Sequence, residues 1–271
     1  MTSVRPVWYS LPMLRLRLLC TFVLVGFVSG CVVSTPPAPK AAILRIGVTP
    51  DSPPFVLTRG DSLAGLEIDF ANELATALGR PVRFVAVPWA DQISTLLRGE
   101  TDVIMSGMTA TRAREASMAF TDPYLRSGLL GLVRRQDADR YRSGEALLKS
   151  NARFGVVAGT TAERFVREQR NLVSVSTYAT TTSAVLELNQ RRIDAFVHDG
   201  PTVIWLGSQN EADLAPVLSR LNDEPLAWGV RRGDESLRTG LNGALARMES
   251  DGTRARILDR WIPYWRRLEA R

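Results

Sequence analysis

From Ile43 onward the chain alternates short apolar runs with amphipathic stretches, the grammar of βα units around a mainly parallel sheet. Leu44–Val48 reads as a strand. Phe70, Leu74 and Leu78 then recur at i, i+4, i+8, which predicts a helix over Asp69–Leu78 that Gly79 ends. Arg83–Val87 is a second strand, and Asp91–Arg98 a helix with Ile93, Leu96 and Leu97 inward and Gly99 as its stop, feeding a buried strand at Val103–Met105. The same grammar repeats further on. Strand Phe154–Val157 runs into Gly159-Thr160-Thr161, where Thr160 and Glu163 are spaced as a capping box that opens a helix toward Gln169. A helix at Ser183–Gln190 precedes strand Ile193–Val197. Leu237, Leu241, Leu245 and Met248 form one apolar face of a long helix closed by Gly252, and Trp261 and Trp265 lie on a last helical tail. No tandem repeat of fixed period is visible.

Composition narrows the class without changing this picture. With 271 residues, 45% hydrophobic and 23% charged, the chain is neither disordered, collagenous nor a disulfide scaffold, and its length suits two modest domains. The N-terminus is a separate matter. Arg5, Arg15 and Arg17 precede an apolar run, Leu18–Phe27, too short to span a bilayer, so residues 1–30 read as a cleaved secretory signal. Its end, Val28-Ser29-Gly30-Cys31, resembles the bacterial lipobox, in which the Cys thiol is acylated and becomes the new N-terminus; the plain alternative is a signal with an incidental Cys. Residues 31–42, with Pro36, Pro37 and Pro39, read as a semi-rigid tether. Cys20 leaves with the signal, so the mature chain offers neither a disulfide nor a Cys-based metal site. Three Arg leave too, and the formal charge of +6 becomes 31 minus 28, or +3. The remaining basic pairs are short and an exported protein meets no genomic DNA, which excludes nucleic acid as a partner.

Candidate chemistry gathers where open parallel sheets place ligands, beyond the carboxyl ends of their strands. After the strand at Val103 comes the run from Ser106 to Arg114. Gly107 permits close backbone approach, Thr109 offers a hydroxyl, and Arg114 carries a planar fork suited to a carboxylate. Gly159-Thr160-Thr161 sits at a strand-to-helix junction, where free N–H groups favour an anion. Asp199, two residues past Val197, is placed to receive a cation, beside His198, the chain's one histidine. Trp89 and Phe55, each next to a proline, supply apolar walls. One carboxylate-sized positive site and one ammonium-sized negative site are the minimum equipment for a zwitterion such as an α-amino acid. Each residue also has a bland reading: Arg114 on a helix surface, Asp199 as an N-cap before Pro201, Trp89 and Phe55 as core, His198 as a structural polar group.

The stretches Ile46-Gly47-Val48, Pro53-Pro54-Phe55, Gly65-Leu66-Glu67-Ile68-Asp69, Gly107 to Arg114, Phe120-Thr121-Asp122-Pro123-Tyr124, Ala158-Gly159-Thr160-Thr161, Asp194 to Asp199 and Asp251-Gly252-Thr253 occur together and in order. In these the chain, over Ile43 to Trp261, resembles the extracellular solute-binding proteins of the polar amino-acid type, family 3, the receptor components of ABC importers. The resemblance implies a two-lobed α/β clamp of the periplasmic-binding-protein type II, with mainly parallel sheets and a two-segment hinge. Residues 43–130 plus 226–271 would form one lobe and 131–225 the other, with crossings near Gly131 and Pro225. It implies that Arg114 grips the ligand carboxylate with the Thr161 N–H, that Gly107, Thr109 and Asp199 take the ammonium, and that Trp89 packs on the ligand side chain. Thr49 and Ser52 stand where the family often has an acid and an aromatic residue, which disfavours Arg or Lys as ligand. The His198-Asp199 pair resembles glutamine-binding members and favours a polar uncharged one.

No Ser-His-Asp set, metal cluster or phosphate loop is evident, so the expectation is a receptor without catalytic residues or cofactor, monomeric, docking on ABC permease subunits and held to a bacterial membrane through lipidated Cys31 on the extracytoplasmic side. Val32 rather than Asp follows Cys31, so the residue that often signals inner-membrane retention in two-membrane bacteria is absent from that position. Two other functions fit the scaffold: a cyclohexadienyl or arogenate dehydratase-like enzyme, which needs a positioned carboxylic acid, and a sensory or envelope accessory module.

Overall fold

The computed structural model describes residues 42–169, 174–264 and 266; the signal, Cys31, nearly all of the tether and Trp265 lie outside the described residues. In chain order the elements are β1 (Leu44–Val48), β2 (Leu57–Arg59), β3 (Ser62–Ala64), α1 (Leu66–Leu78), β4 (Val82–Ala86), α2 (Gln92–Leu97), β5 (Val103–Ile104), α3 (Arg112–Glu115), β6 (Ala119–Phe120) and β7 (Leu125–Ser127). There follow β8 (Leu129–Arg134), α4 (Gly144–Leu148), β9 (Arg153–Val157), α5 (Thr161–Glu168), β10 (Ser174–Tyr178), α6 (Thr181–Asn189), β11 (Ala195–Asp199), α7 (Gly200–Gln209) and β12 (Leu214–Val217). The chain closes with β13 (Glu224–Leu226), β14 (Gly229–Val230), α8 (Glu235–Ser250) and α9 (Thr253–Trp261).

Two five-stranded sheets organise these elements. The first runs β4-β1-β5-β14-β6 and the second β10-β9-β11-β8-β12, each with a parallel half and an antiparallel half. The chain leaves the first sheet through β7 and returns through β13, and these two strands pair antiparallel as a ribbon between the sheets. All described residues fall within one compact unit. The architecture is the expected α/β class, but its two sheets are mixed rather than mainly parallel, because β14 and β6 in the first and β8 and β12 in the second run antiparallel to their neighbours.

Strand periodicity explains the cores. Along β8, Leu129 and Val133 enter one apolar cluster while Leu130 and Leu132 enter the other, because alternate side chains leave opposite faces of a sheet covered on both sides. Beneath the first sheet, Phe70 of α1 meets Tyr124 at 5.3 Å and Trp228 at 5.5 Å between ring centroids, and all three are fully buried. Such rings dominate core energetics through the area they withdraw from water.

The two sheets share one electrostatic device at the ends opposite the candidate site. Asp102, just before β5, accepts the Arg45 N–H at 2.9 Å and pairs with the guanidinium groups of Arg45 (2.7 Å) and Arg231 (3.1 Å). Burial alone would raise its carboxyl, but these partners outweigh it and hold the pKa at about 2. Asp194, just before β11, accepts the Arg153 N–H at 3.1 Å and pairs with Arg134 and Arg153 in the same way.

Several boundaries differ from expectation. Helix α1 begins at Leu66, ahead of Asp69, because Gly65 turns the chain directly into it and Leu66, Glu67 and Ile68 are buried. Leu97 is 50% exposed rather than inward; α2 is short and buries Gln92, Thr95 and Leu96. Strand β11 continues to Asp199, two residues beyond the apolar run. At the start of α5 the Thr160 hydroxyl does cap the Glu163 N–H, but the Glu163 carboxylate accepts the Gly159 N–H at 2.9 Å, so the reciprocal half of the capping box is displaced by one residue.

Candidate functional site

A cavity of about 430 Å³ opens between the carboxyl ends of the two sets of strands, and every residue the sequence nominates for the ligand lines it: Thr49, Ser52, Trp89, Gly107, Thr109, Arg114, Thr160, Thr161, His198 and Asp199, with Phe55 as a wall. Topology produces this convergence. Thr49 and Ser52 follow β1, Gly107 and Thr109 follow β5, Thr160 and Thr161 follow β9, and Asp199 ends β11.

Arg114 sits in the first turn of α3, whose N-cap Thr111 hydroxyl accepts the Arg114 N–H. Its guanidinium donates to the Thr109 carbonyl at 2.9 Å and to the Gly159 carbonyl at 3.2 Å, and it lies over the Trp89 ring at 5.2 Å. That geometry rules out a free surface arginine. Burial lowers its pKa while Asp199 and Glu224 pull it upward, so the group stays cationic with unused N–H donors for an anion. Trp89, half-buried in a 3-10 turn at Trp89–Asp91, is held by this stacking and not by the core alone.

Asp199 occupies the N-cap position of α7, yet its side chain makes no capping hydrogen bond, so the capping reading does not account for it. Its carboxylate, on a residue 9% exposed, has His198 Nδ1 at 3.1 Å, and that same nitrogen accepts the Asp199 N–H at 2.9 Å. A ring nitrogen that accepts an N–H has no proton left for the carboxylate, so the imidazole packs against Asp199 without hydrogen-bonding its side chain.

Gly107 adopts φ of +67°, and its N–H donates to Glu67 Oε1 at 2.8 Å. Glu67, fully buried in α1, also accepts from the Tyr124 hydroxyl (2.8 Å) and the Trp228 indole N–H (2.9 Å). Burial raises its pKa to about 7 against these three donors. The Thr49 hydroxyl donates to the Val87 carbonyl and accepts from the Gln92 amide, which also donates to Ser106. The Thr160 hydroxyl donates to the Val157 carbonyl at 2.7 Å while capping α5.

Some lining residues escaped the sequence reading. Asp51 and Ser106 join the first wall, and Thr180, Thr181, Thr182 and Thr202 make much of the second a hydroxyl surface. Thr180 carried a signal, the capping box it forms with Ser183, but caps are common and do not announce a ligand. Behind the lining, Glu224 accepts the hydroxyls of Thr109 and Thr161. Among the described residues no cluster of three or more His, Cys, Asp or Glu is arranged for a metal, and no helix is long and apolar enough to cross a membrane.

Comparison with known proteins places these features. The model of the bacterial extracellular solute-binding proteins, family 3, matches residues 44–264. The chain is 27% identical over 220 residues to the L-cystine-binding protein TcyJ of Escherichia coli strain K12, covering 81% of this chain and 82% of that one. It is 28% identical over 221 residues to the ABC transporter glutamine-binding protein GlnH of Bacillus subtilis strain 168, covering 80% of each. Among solved structures, an ancestral arginine-binding protein bound to arginine superposes with a TM-score of 0.76 at 32% identity, covering 83% of this chain and all of that one. The fold is the two-lobed type II clamp, and these relatives are named as binding proteins.

Proposed function

Since the chain belongs to the bacterial extracellular solute-binding proteins of family 3, we propose that it is an extracytoplasmic receptor that binds a polar amino acid or similar small zwitterion and hands it to an ABC importer. The observation that carries this reading is the opposed pair of charges in one cavity: Arg114, stacked on Trp89 with donors to spare, and Asp199, buried and not used as a cap.

In this reading the ligand carboxylate takes the free donors of Arg114 together with the Thr161 N–H, and the ammonium takes Asp199, Thr109 and the Gly107 carbonyl. Residues 43–130 with 226–271 form one lobe and 131–225 the other. Arg114 and Trp89 belong to the first lobe, Thr161 and Asp199 to the second. A ligand that touches both lobes stabilises the closed form over the open one, and only that differential affinity drives closure. Cys31 carries the lipid anchor, and the closed receptor docks on the permease as a monomer. The site works without cofactor and binds rather than transforms its ligand.

The test is a thermal-shift screen of the purified protein against the L-amino acids, L-cystine and small organic acids. Stabilisation follows RT ln(1 + [L]/Kd), so a ligand at a thousand times its Kd registers at about 4 kcal/mol. A rise confined to amino acids supports the reading, and a screen with no amino-acid response overturns it. Cys31→Ala should release the protein from the membrane fraction; retention would contradict the anchor. Incubation with prephenate or arogenate should yield no phenyl product.

A further inference from the structure

The cavity has a second anionic residue that lies behind its lining. Glu224 opens β13, the return strand of the ribbon between the sheets, and is 5% exposed. One carboxylate oxygen, Oε2, accepts two hydroxyls: Thr109 Oγ1 at 2.9 Å and Thr161 Oγ1 at 2.7 Å. Thr109 belongs to the loop after β5 of the first sheet, Thr161 to the first turn of α5 above the second. The other oxygen, Oε1, accepts the Asn222 amide N–H at 2.8 Å, and Asn222 is itself fixed because its carbonyl accepts the Leu129 N–H at 2.9 Å. All of these partners are neutral. The carboxyl group is therefore oriented without a paired cation: burial, and then the Asp199 charge, raise its pKa above the ordinary carboxylate value while the Thr161, Asn222 and Thr109 hydrogen bonds oppose that rise, and its charge in turn reaches Arg114.

Two consequences follow from counting protons. A threonine hydroxyl has one proton and two lone pairs. Both hydroxyls give their proton to Glu224, so what Thr109 and Thr161 can offer the cavity they line is lone pairs only. Such oxygens accept from an ammonium, and at Thr161 only the backbone N–H is left as a donor for a carboxylate. In addition, a single oxygen shared by the two halves is a contact that opening the cleft must stretch or break.

We propose that Glu224 is a positioning and specificity-determining residue: it fixes the hydrogen-bond polarity of Thr109 and Thr161 so that the site selects α-ammonium compounds over their α-hydroxy and α-keto counterparts, and it links the two halves in the closed arrangement. The selectivity half rests on the amino-acid reading of the site; the linking half does not. A merely structural Glu224 would affect stability alone.

The experiment uses the full chain with Cys20→Ser and Cys31→Ser and spin labels at Leu97→Cys and Leu186→Cys, two exposed positions on α2 and α6. Without added ligand, Glu224→Gln and Thr109→Val should each shift the label–label distance distribution toward longer separations, and the double variant should go no further than Glu224→Gln alone. Binding is read by thermal shift with a mixture of the twenty L-amino acids and L-cystine, against a mixture of the matching α-keto and α-hydroxy acids. Glu224→Gln should lose tenfold or more in apparent affinity for the first mixture and nothing for the second. Should Glu224→Gln fail to fold, Thr109→Val tests the same link. Unchanged distances, or equal losses for both mixtures, overturn the proposal. If no amino acid binds the unsubstituted protein, the receptor reading fails, and the distances alone decide whether Glu224 links the halves.

Discussion

Gly107→Ala is the sharpest test of how the site is built. The residue sits at φ of +67°, and a Cβ added there would meet three atoms of the Phe55 ring at 2.7 to 2.8 Å. Phe55 is only 2% exposed, so its ring has no room to withdraw. Two costs add. A side chain in the left-handed region loses about 1–2 kcal/mol, and forcing a methyl into a packed wall loses about 1–3 kcal/mol. The expected destabilisation is about 2–5 kcal/mol in urea unfolding followed by tryptophan fluorescence, with the m-value unchanged. Shortening the obstacle separates the two costs: in a double-mutant cycle with Phe55→Leu, the coupling should return about 1–3 kcal/mol and leave the backbone cost behind. Because the Gly107 N–H is tied to Glu67 at 2.8 Å, relief by moving the loop would break that bond and weaken ligand binding as well. A Gly107→Ala protein within about 0.5 kcal/mol of the parent, or strict additivity with Phe55→Leu, would refute this account of the loop.

Three further outcomes are expected. Arg114→Ala should abolish the thermal response to amino acids while lowering the melting point of the empty protein modestly, since it removes two hydrogen bonds to carbonyls and the Trp89 stack rather than core packing; a collapse of stability would make the residue structural. Asp199→Asn should cost about 2 kcal/mol or more of binding by removing one side of a desolvated charge pair, as read by calorimetry; unchanged affinity would contradict the ammonium role. For Glu67, the folded-state carboxyl is raised from 4.5 to about 7, so the native state holds the proton more tightly and stability should fall as pH rises through that window. At about 1.4 kcal/mol per unit the fall is about 3 kcal/mol, and urea titrations of Glu67→Gln between those pH values should lack it.

Residues whose placement follows from local chemistry were legible in the sequence. A strand end followed by Gly and Thr, a forked Arg one helical turn on, and an Asp after an apolar strand each place a known kind of group at a known kind of position. The cavity gathers all of them. Glu224 was not legible, because the hydroxyls that define it come from Thr109 and Thr161, 115 and 63 positions away, and meet it only after a crossing ribbon folds. Leu97 misled for the opposite reason: its spacing fits an inward face, but α2 is too short for that face to be covered throughout. The start of α1 was set by Gly65, whose backbone passes against the Phe55 carbonyl, a contact that no periodicity encodes.

On the proposed reading, one small dipolar solute is held between Arg114 and Asp199. A crystal structure of the protein with the amino acid selected by the thermal screen tests it directly. The ligand carboxylate should lie about 2.7–2.9 Å from the Arg114 guanidinium and its ammonium at a similar distance from the Asp199 carboxylate. A ligand seated outside this cavity, or one whose charged groups leave either residue untouched, would contradict it.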